Sequence, residues 1–153
     1  MNLNKITTSE KETKEFAEDF AKELSGGEVI CFSGDVGSGK TMFTQGLCKG
    51  LGVENDYVNS PSYIIMNEYS TKTNMKIYHY DLYRICSLDE LTEIGYYDHT
   101  NTEKKNQIAI IEWSEMLDDE KPEDRVEIEI KILDTTKREI FINYENTSSR
   151  DLN

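Results

Sequence analysis

The chain has little of what marks a secreted, membrane-spanning or metal-stapled protein. Among its 153 residues no apolar run approaches the roughly 20 that a membrane-spanning helix needs. The N-terminus, Met1-Asn2-Leu3-Asn4-Lys5, lacks the apolar stretch of a signal peptide, which makes a cytoplasmic location the expectation. Cysteine is scarce: Cys31, Cys48 and Cys86 are an odd number without a Cys-x-x-Cys spacing. They read as buried or incidental thiols in a reducing compartment. With only His79 and His99 to help them, a zinc site is not expected. Positive charge is also short, with 17 Lys and Arg against 30 Asp and Glu and a net charge of −13 at pH 7. Such a surface does not grip DNA or RNA unaided, because phosphate contacts need basic groups. The acidity either serves solubility or presents an acidic face to a basic partner. No linker, repeat or low-complexity block interrupts the interior, and the length suits a single packed core.

What is present reads as one domain over residues 1–146 with a loose tail at 147–153. Residues 3–8 suit a short strand. Ser9 is a candidate N-cap, with Glu12 completing a capping box. Phe16, Ala17, Phe20, Ala21 and Leu24 then recur at helical spacing up to Gly26-Gly27. Val29 to Phe32 is a continuous apolar run that suits a buried parallel strand. A glycine-rich loop follows, then a helix from about Thr41 to Leu51. Tyr63 to Tyr69 and Met75 to Leu82 read as strands, joined at Thr71-Lys72-Thr73-Asn74 as a hairpin. Ser87 caps a short helix carrying Leu88, Leu91 and Ile94, which Gly95 stops. Ile108-Ala109-Ile110-Ile111 is a second apolar strand. Val126, Ile128, Ile130 and Ile132 alternate with charged residues, as do Ile140, Ile142 and Tyr144 with polar ones. These two strands are therefore half-exposed and expected to be antiparallel. The pattern predicts an α/β three-layer fold of the P-loop NTPase type, with a mixed, partly parallel central sheet.

The chemistry concentrates in Gly34-Asp35-Val36-Gly37-Ser38-Gly39-Lys40-Thr41. Its glycines let the backbone aim N–H groups at phosphate oxygens, and the following helix adds its positive end. Lys40 reaches β- and γ-phosphates in such loops, and the Thr41 hydroxyl ligates Mg²⁺. The apolar strand before and the amphipathic helix after are the context that separates a phosphate loop from an ordinary glycine turn. A triphosphate site also needs a carboxylate at a strand end, for the metal or for the attacking water. Glu112 ends Ile108–Ile111, and Asp81 ends Ile77–Tyr80. Glu112 is favoured for the metal and Asp81 for water positioning, with the reverse still open. Ser60-Pro61-Ser62 places hydroxyls where switch loops sense a γ-phosphate, although an ordinary Ser-Pro turn explains it as well. His79 reads as a strand histidine satisfied by a neighbour rather than as a base. Trp113 reads as core or a partner contact, and Arg84 suits either phosphate or nearby acids.

Taken together, the glycine loop, Ser60-Pro61-Ser62-Tyr63, His79-Tyr80-Asp81-Leu82-Tyr83-Arg84 and Ile111-Glu112-Trp113-Ser114-Glu115 resemble the bacterial TsaE (YjeE) family of small P-loop ATPases. The likeness runs from about Ser9 to Tyr144. It implies ATP and Mg²⁺ as ligands and a role in making threonylcarbamoyladenosine in tRNA. It also implies TsaB-like and TsaD-like partner proteins, one of them the catalytic transferase, with tRNA contacted only indirectly. Intrinsic hydrolysis in that family is weak without partners. Carried over by position, Gly37, Ser38, Gly39, Lys40, Thr41 and Met42 cradle phosphates, Thr41 and Glu112 bind Mg²⁺, and Asp81 supports hydrolysis. The segment around Thr8 and Thr13 and the strand holding Arg138 flank the adenine. Two positions depart from the family pattern: Met42 stands where a second threonine is usual, and Ser62 where the loop usually reads Ser-Pro-Thr. The competing readings are a small-molecule kinase and a nucleotide-gated interaction module. Arg84, Arg125, Arg138 and Arg150 are scattered and form no lid-like insertion, which disfavours the kinase. No Asn-Lys-x-Asp segment is present, which favours ATP over GTP.

Overall fold

The structure, a computed structural model, describes residues 2–34, 38–53, 66–82 and 87–145. Outside them lie Asp35-Val36-Gly37, the Ser60-Pro61-Ser62 segment, the expected start of a strand at Tyr63, Tyr83, Arg84, Cys86 and the tail at 147–153.

The strands are β1 (Asn2–Thr7), β2 (Val29–Ser33), β3 (Met66–Ser70), β4 (Lys76–Asp81), β5 (Gln107–Glu112), β6 (Arg125–Ile132) and β7 (Arg138–Glu145). They form one seven-stranded sheet in the order β1-β7-β6-β2-β5-β4-β3. The apolar runs of β2 and β5 sit at its centre and pair in parallel, Val29 with Ala109 and Cys31 with Ile111. β4 lies parallel to β5, and β3 closes that edge as the antiparallel partner of β4. β6 differs from expectation. It pairs antiparallel with β7 but parallel with β2. A strand flanked on both sides still buries only the side chains of a covered face, so the alternation of Val126, Ile128 and Ile130 reports burial and not direction.

Helices α1 (Glu10–Ala21) and α2 (Lys40–Gly50) cover one face of the sheet. Ser9 caps α1 by accepting from the Glu12 N–H at 3.1 Å, while the Glu12 carboxylate accepts from the Thr8 hydroxyl at 2.8 Å. The helix ends at Ala21, five residues before the glycines expected to stop it. The N–H groups of Lys22, Glu23 and Leu24 turn back to Asp19, Phe20 and Ala21, tightening the last turn. The buried Glu28 carboxylate then accepts from the N–H groups of Ser25 (2.9 Å) and Gly26 (2.7 Å). Phe43 of α2, fully buried, meets Phe32 edge-on at 5.6 Å and Phe16 at 6.1 Å. Burying a side chain of that size stabilises by about 1.5–3 kcal/mol. The two helices touch backbone to backbone. A Cβ on Gly46 would lie 2.4 Å from the Lys14 carbonyl oxygen and 2.7 Å from the Ala17 Cβ.

The opposite face is covered by α3 (Leu88–Glu93), α4 (Tyr96–His99) and a 3-10 helix (Ser114–Glu120). Leu91, Tyr96 and Leu117 pack there on Val29, Cys31, Tyr80, Ala109 and Ile111. Ser87 caps α3 through the Glu90 N–H, and Gly95 follows its end, as expected. The buried thiols of Cys31 and Cys48 are both pushed up to about 12, chiefly by desolvation. No described helix is long and apolar enough to cross a membrane.

Candidate functional site

The carboxyl ends of β6, β2, β5 and β4 point the same way, and ligand sites of open parallel sheets form at that edge. A cavity of about 600 Å³ opens there. Five segments line it: Ser9, Glu10 and Thr13 from the start of α1; Gly39, Lys40, Thr41 and Met42 from the start of α2; Asp81 at the end of β4; Glu112 and Trp113 at the end of β5; and Thr135, Thr136 and Arg138 from the β6–β7 turn.

The glycine-rich loop leaves β2 and enters α2 through Gly39, whose φ is +111°. A Cβ there would meet no heavy atom within 4 Å. Glycine is required for the backbone conformation, and the space beside it is open. α2 begins at this point, presenting the N–H groups and positive end of a helix start to the cavity. Lys40 is 6 % exposed. Its ammonium donates to the Gly34 carbonyl at 2.9 Å and stands 4.2 Å from the centre of the Trp113 ring. The Ser38 hydroxyl is buried with no hydrogen-bond partner among the described residues.

Asp81 and Glu112 face each other in register as the last residues of β4 and β5. The two acids suggested separately by strand-end position therefore share one wall of the cavity. Glu112 is 4 % exposed, and its Oε2 lies 2.6 Å from His79 Nε2. The expectation of a satisfied strand histidine holds, and the neighbour that satisfies it is the catalytic candidate itself. Trp113 follows in the left-handed region at φ +60°, which costs a non-glycine residue about 1–3 kcal/mol. This turn places the indole beneath Lys40. The buried Ser114 hydroxyl donates to the Phe32 carbonyl at 3.0 Å and ties the segment to β2.

Arg138, at the start of β7, donates through Nε to the Ser38 carbonyl at 2.8 Å and through a terminal nitrogen to the Asp134 carbonyl at 2.8 Å. It fastens the β6–β7 turn to the glycine-rich loop across 100 residues of sequence. Thr8 is exposed and its hydroxyl is engaged by Glu12. The neighbouring Ser9, Glu10 and Thr13 line the cavity, as do Thr135 and Thr136; of these only Thr13 is suggested by the family resemblance as lying near the base. Gly37 lies outside the described residues. Among those described, no three His, Cys, Asp or Glu side chains form a cluster able to hold a metal.

The family model for the threonylcarbamoyl adenosine biosynthesis protein TsaE matches residues 7–140. A protein from Aquifex aeolicus named tRNA threonylcarbamoyladenosine biosynthesis protein TsaE is 40 % identical, over 90 % of this chain and 92 % of its own length. A like-named protein from Rickettsia typhi is 38 % identical over the same shares, and one from Bacillus subtilis is 34 % identical over 88 % and 80 %. The crystal structure of Bacillus subtilis YdiB superposes with a TM-score of 0.76 at 28 % identity, covering 99 % of this chain and 90 % of that one.

Proposed function

This chain belongs to the TsaE family of tRNA threonylcarbamoyladenosine biosynthesis proteins, and we propose that it serves there as a magnesium-dependent ATPase driven by partner proteins. One observation carries the reading. Lys40 and the start of α2 stand in the same cavity as Asp81 and Glu112, which end adjacent parallel strands. That combination provides donors for a phosphate chain and carboxylates for a metal and a water.

The residues present fit the ligands this role needs. The open space beside Gly39 suits a phosphate group against the helix start. The cavity lining carries Glu10, Asp81 and Glu112 against Lys40 and Arg138, an unfavourable balance for a bare triphosphate and a favourable one for its magnesium complex. Mg²⁺ is commonly held by one or two carboxylates together with substrate phosphates, so a dedicated protein cage is not needed. In this assignment Thr41 and Glu112 hold the ion and Lys40 takes phosphate oxygens in place of the Gly34 carbonyl. Asp81 orients the water that attacks the γ-phosphorus as the bond to the bridging oxygen breaks, leaving ADP and phosphate. Gly37, Ser38, Gly39 and Met42 complete the cradle. When bound, magnesium offsets phosphate charge and stabilises the leaving oxygen. Arg138 holds the loop against the β6–β7 turn, and the base lies at that end, near the segment from Thr8 to Thr13.

With the basic surface for tRNA supplied by TsaB-like and TsaD-like partners, the acidic chain contacts tRNA only through them. The test is phosphate release from ATP and from GTP, with and without those partners. Weak ATP turnover that the partners raise, and Lys40→Ala or Glu112→Ala abolishes, is the expected result. Absence of any stimulation by the partners would sink this function.

A further inference from the structure

We infer that His79, aligned by Tyr69, is a positioning residue that sets the Glu112 carboxylate for magnesium. The inference rests on the function proposed above and concerns residues that do not line the cavity.

Strand alternation places the participants on one sheet face. Tyr69 of β3 is opposite Ile77, and Asn67 is opposite His79. His79 and Asp81 are two apart on β4, and Asp81 is opposite Glu112 on β5. All these side chains share the face covered by α1 and α2. On it, a hydrogen-bond chain runs inward from the edge strand. The Asn67 amide donates to the Tyr69 hydroxyl at 3.4 Å, the Tyr69 hydroxyl meets His79 Nδ1 at 3.2 Å, and His79 Nε2 meets Glu112 Oε2 at 2.6 Å.

The donor order assigns the tautomer. A carboxylate oxygen only accepts, so Nε2 carries the proton that faces Glu112. Nδ1 is then the acceptor, and the Tyr69 hydroxyl, which accepts from Asn67, donates its proton to it. Each link leaves the next group in the required state. His79 is completely buried and Tyr69 is 8 % exposed, so water does not compete for these bonds. The arrangement removes rotational freedom from a glutamate whose backbone lies at the end of a strand. It holds one carboxylate oxygen while the residue lines the cavity. Carboxylates that bind metals are themselves commonly hydrogen-bonded, and removing such a support costs about 10–100-fold in metal affinity or activity.

The experiment measures ATP affinity by titration calorimetry, once in saturating Mg²⁺ and once in EDTA, for the wild type, His79→Leu, His79→Gln and Tyr69→Phe. Thermal unfolding of each ligand-free protein is recorded alongside. His79→Leu is expected to lose about 10–100-fold of the affinity that magnesium adds, with affinity in EDTA within about threefold of wild type. His79→Gln keeps an N–H donor near the Nε2 position and is expected to retain most of the magnesium gain. Tyr69→Phe is expected to lose about two- to tenfold, as one neutral hydrogen bond would. Equal losses with and without magnesium would mean that His79 only supports the fold, and a wild-type response in His79→Leu would mean that it supports nothing here; either overturns the inference alone. Should His79→Leu fail to fold, the same ratio in Tyr69→Phe decides it. A wild-type protein to which magnesium adds no ATP affinity overturns the proposed ATPase as well.

Discussion

Gly39 caps α2 and Gly46 lies within it, and replacing each by alanine separates space kept for a ligand from space kept for packing. At Gly39 the added Cβ meets no heavy atom within 4 Å, while φ is +111°. The protein is therefore charged only for backbone strain, about 1–3 kcal/mol. A domain of this size loses about 2–4 °C in Tm per kcal/mol, so Gly39→Ala is expected to melt about 2–12 °C lower. At Gly46 the Cβ would lie 2.4 Å from the Lys14 carbonyl oxygen. Backbone cannot swing aside as a side chain does, so the helices must separate. Overpacking of this kind costs about 1–3 kcal/mol, partly offset by the roughly 1 kcal/mol that alanine gains over glycine inside a helix. Gly46→Ala is thus expected to cost about 0–2 kcal/mol and to lower Tm by about 0–8 °C, no more than Gly39→Ala does. Ligand binding separates the two. If phosphate occupies the open space beside Gly39, its methyl group weakens Mg-ATP binding at least tenfold, whereas Gly46→Ala leaves affinity within about threefold. Thermal unfolding by circular dichroism and calorimetric titration with Mg-ATP read both quantities. Unchanged Mg-ATP affinity in a folded Gly39→Ala protein would refute the assignment of that space to phosphate.

Three further outcomes are expected. Trp113 is the chain's single tryptophan, and Lys40 Nζ stands 4.2 Å from its ring centre. Mg-ATP should therefore change intrinsic fluorescence as the ammonium turns to phosphate, and Lys40→Ala should abolish that change; an unchanged spectrum at saturation counts against the movement. Burial lowers the pKa of His99, which stacks on Tyr78 at 3.6 Å. Because the unfolded histidine takes a proton first, near its ordinary 6.5, this group favours the folded state above that pH and loses its contribution as pH falls below it. Melting temperature should decline from pH 7 toward pH 5.5, and His99→Phe, which keeps a ring for the stack, should flatten that decline. Cys31 and Cys48, with thiols pushed up to about 12, should resist alkylation at pH 8 in the native protein and react in denaturant; peptide mapping of the modified sites checks this, and ready native labelling of either would contradict its burial.

Much of the site was legible before any tertiary structure. A glycine-rich loop between an apolar strand and an amphipathic helix is a local pattern, and α2 forms where that pattern puts it, at Lys40–Gly50. Asp81 and Glu112 could be nominated because each ends a strand, Glu112 after the apolar run Ile108–Ile111 and Asp81 after the more polar Ile77–Tyr80, and a strand buried among others ends at an edge where polar side chains become useful. The His79 spacing from Asp81 also fixed their shared face, since side chains alternate along a strand.

The elements, their apolar faces and the candidate chemistry at their ends follow from local residue order, because helix and strand periodicities are written into neighbouring residues. Which ends meet follows from long-range pairing instead. Parallel pairing of β4 with β5 sets Asp81 opposite Glu112, and β6 takes a parallel partner on one side and an antiparallel one on the other. Long-range contact brings Arg138 to the Ser38 carbonyl and Thr135 and Thr136 to the cavity wall. It also identifies the neighbour that satisfies His79 as Glu112. Such pairings depend on strand order across the sheet, and no local periodicity encodes strand order.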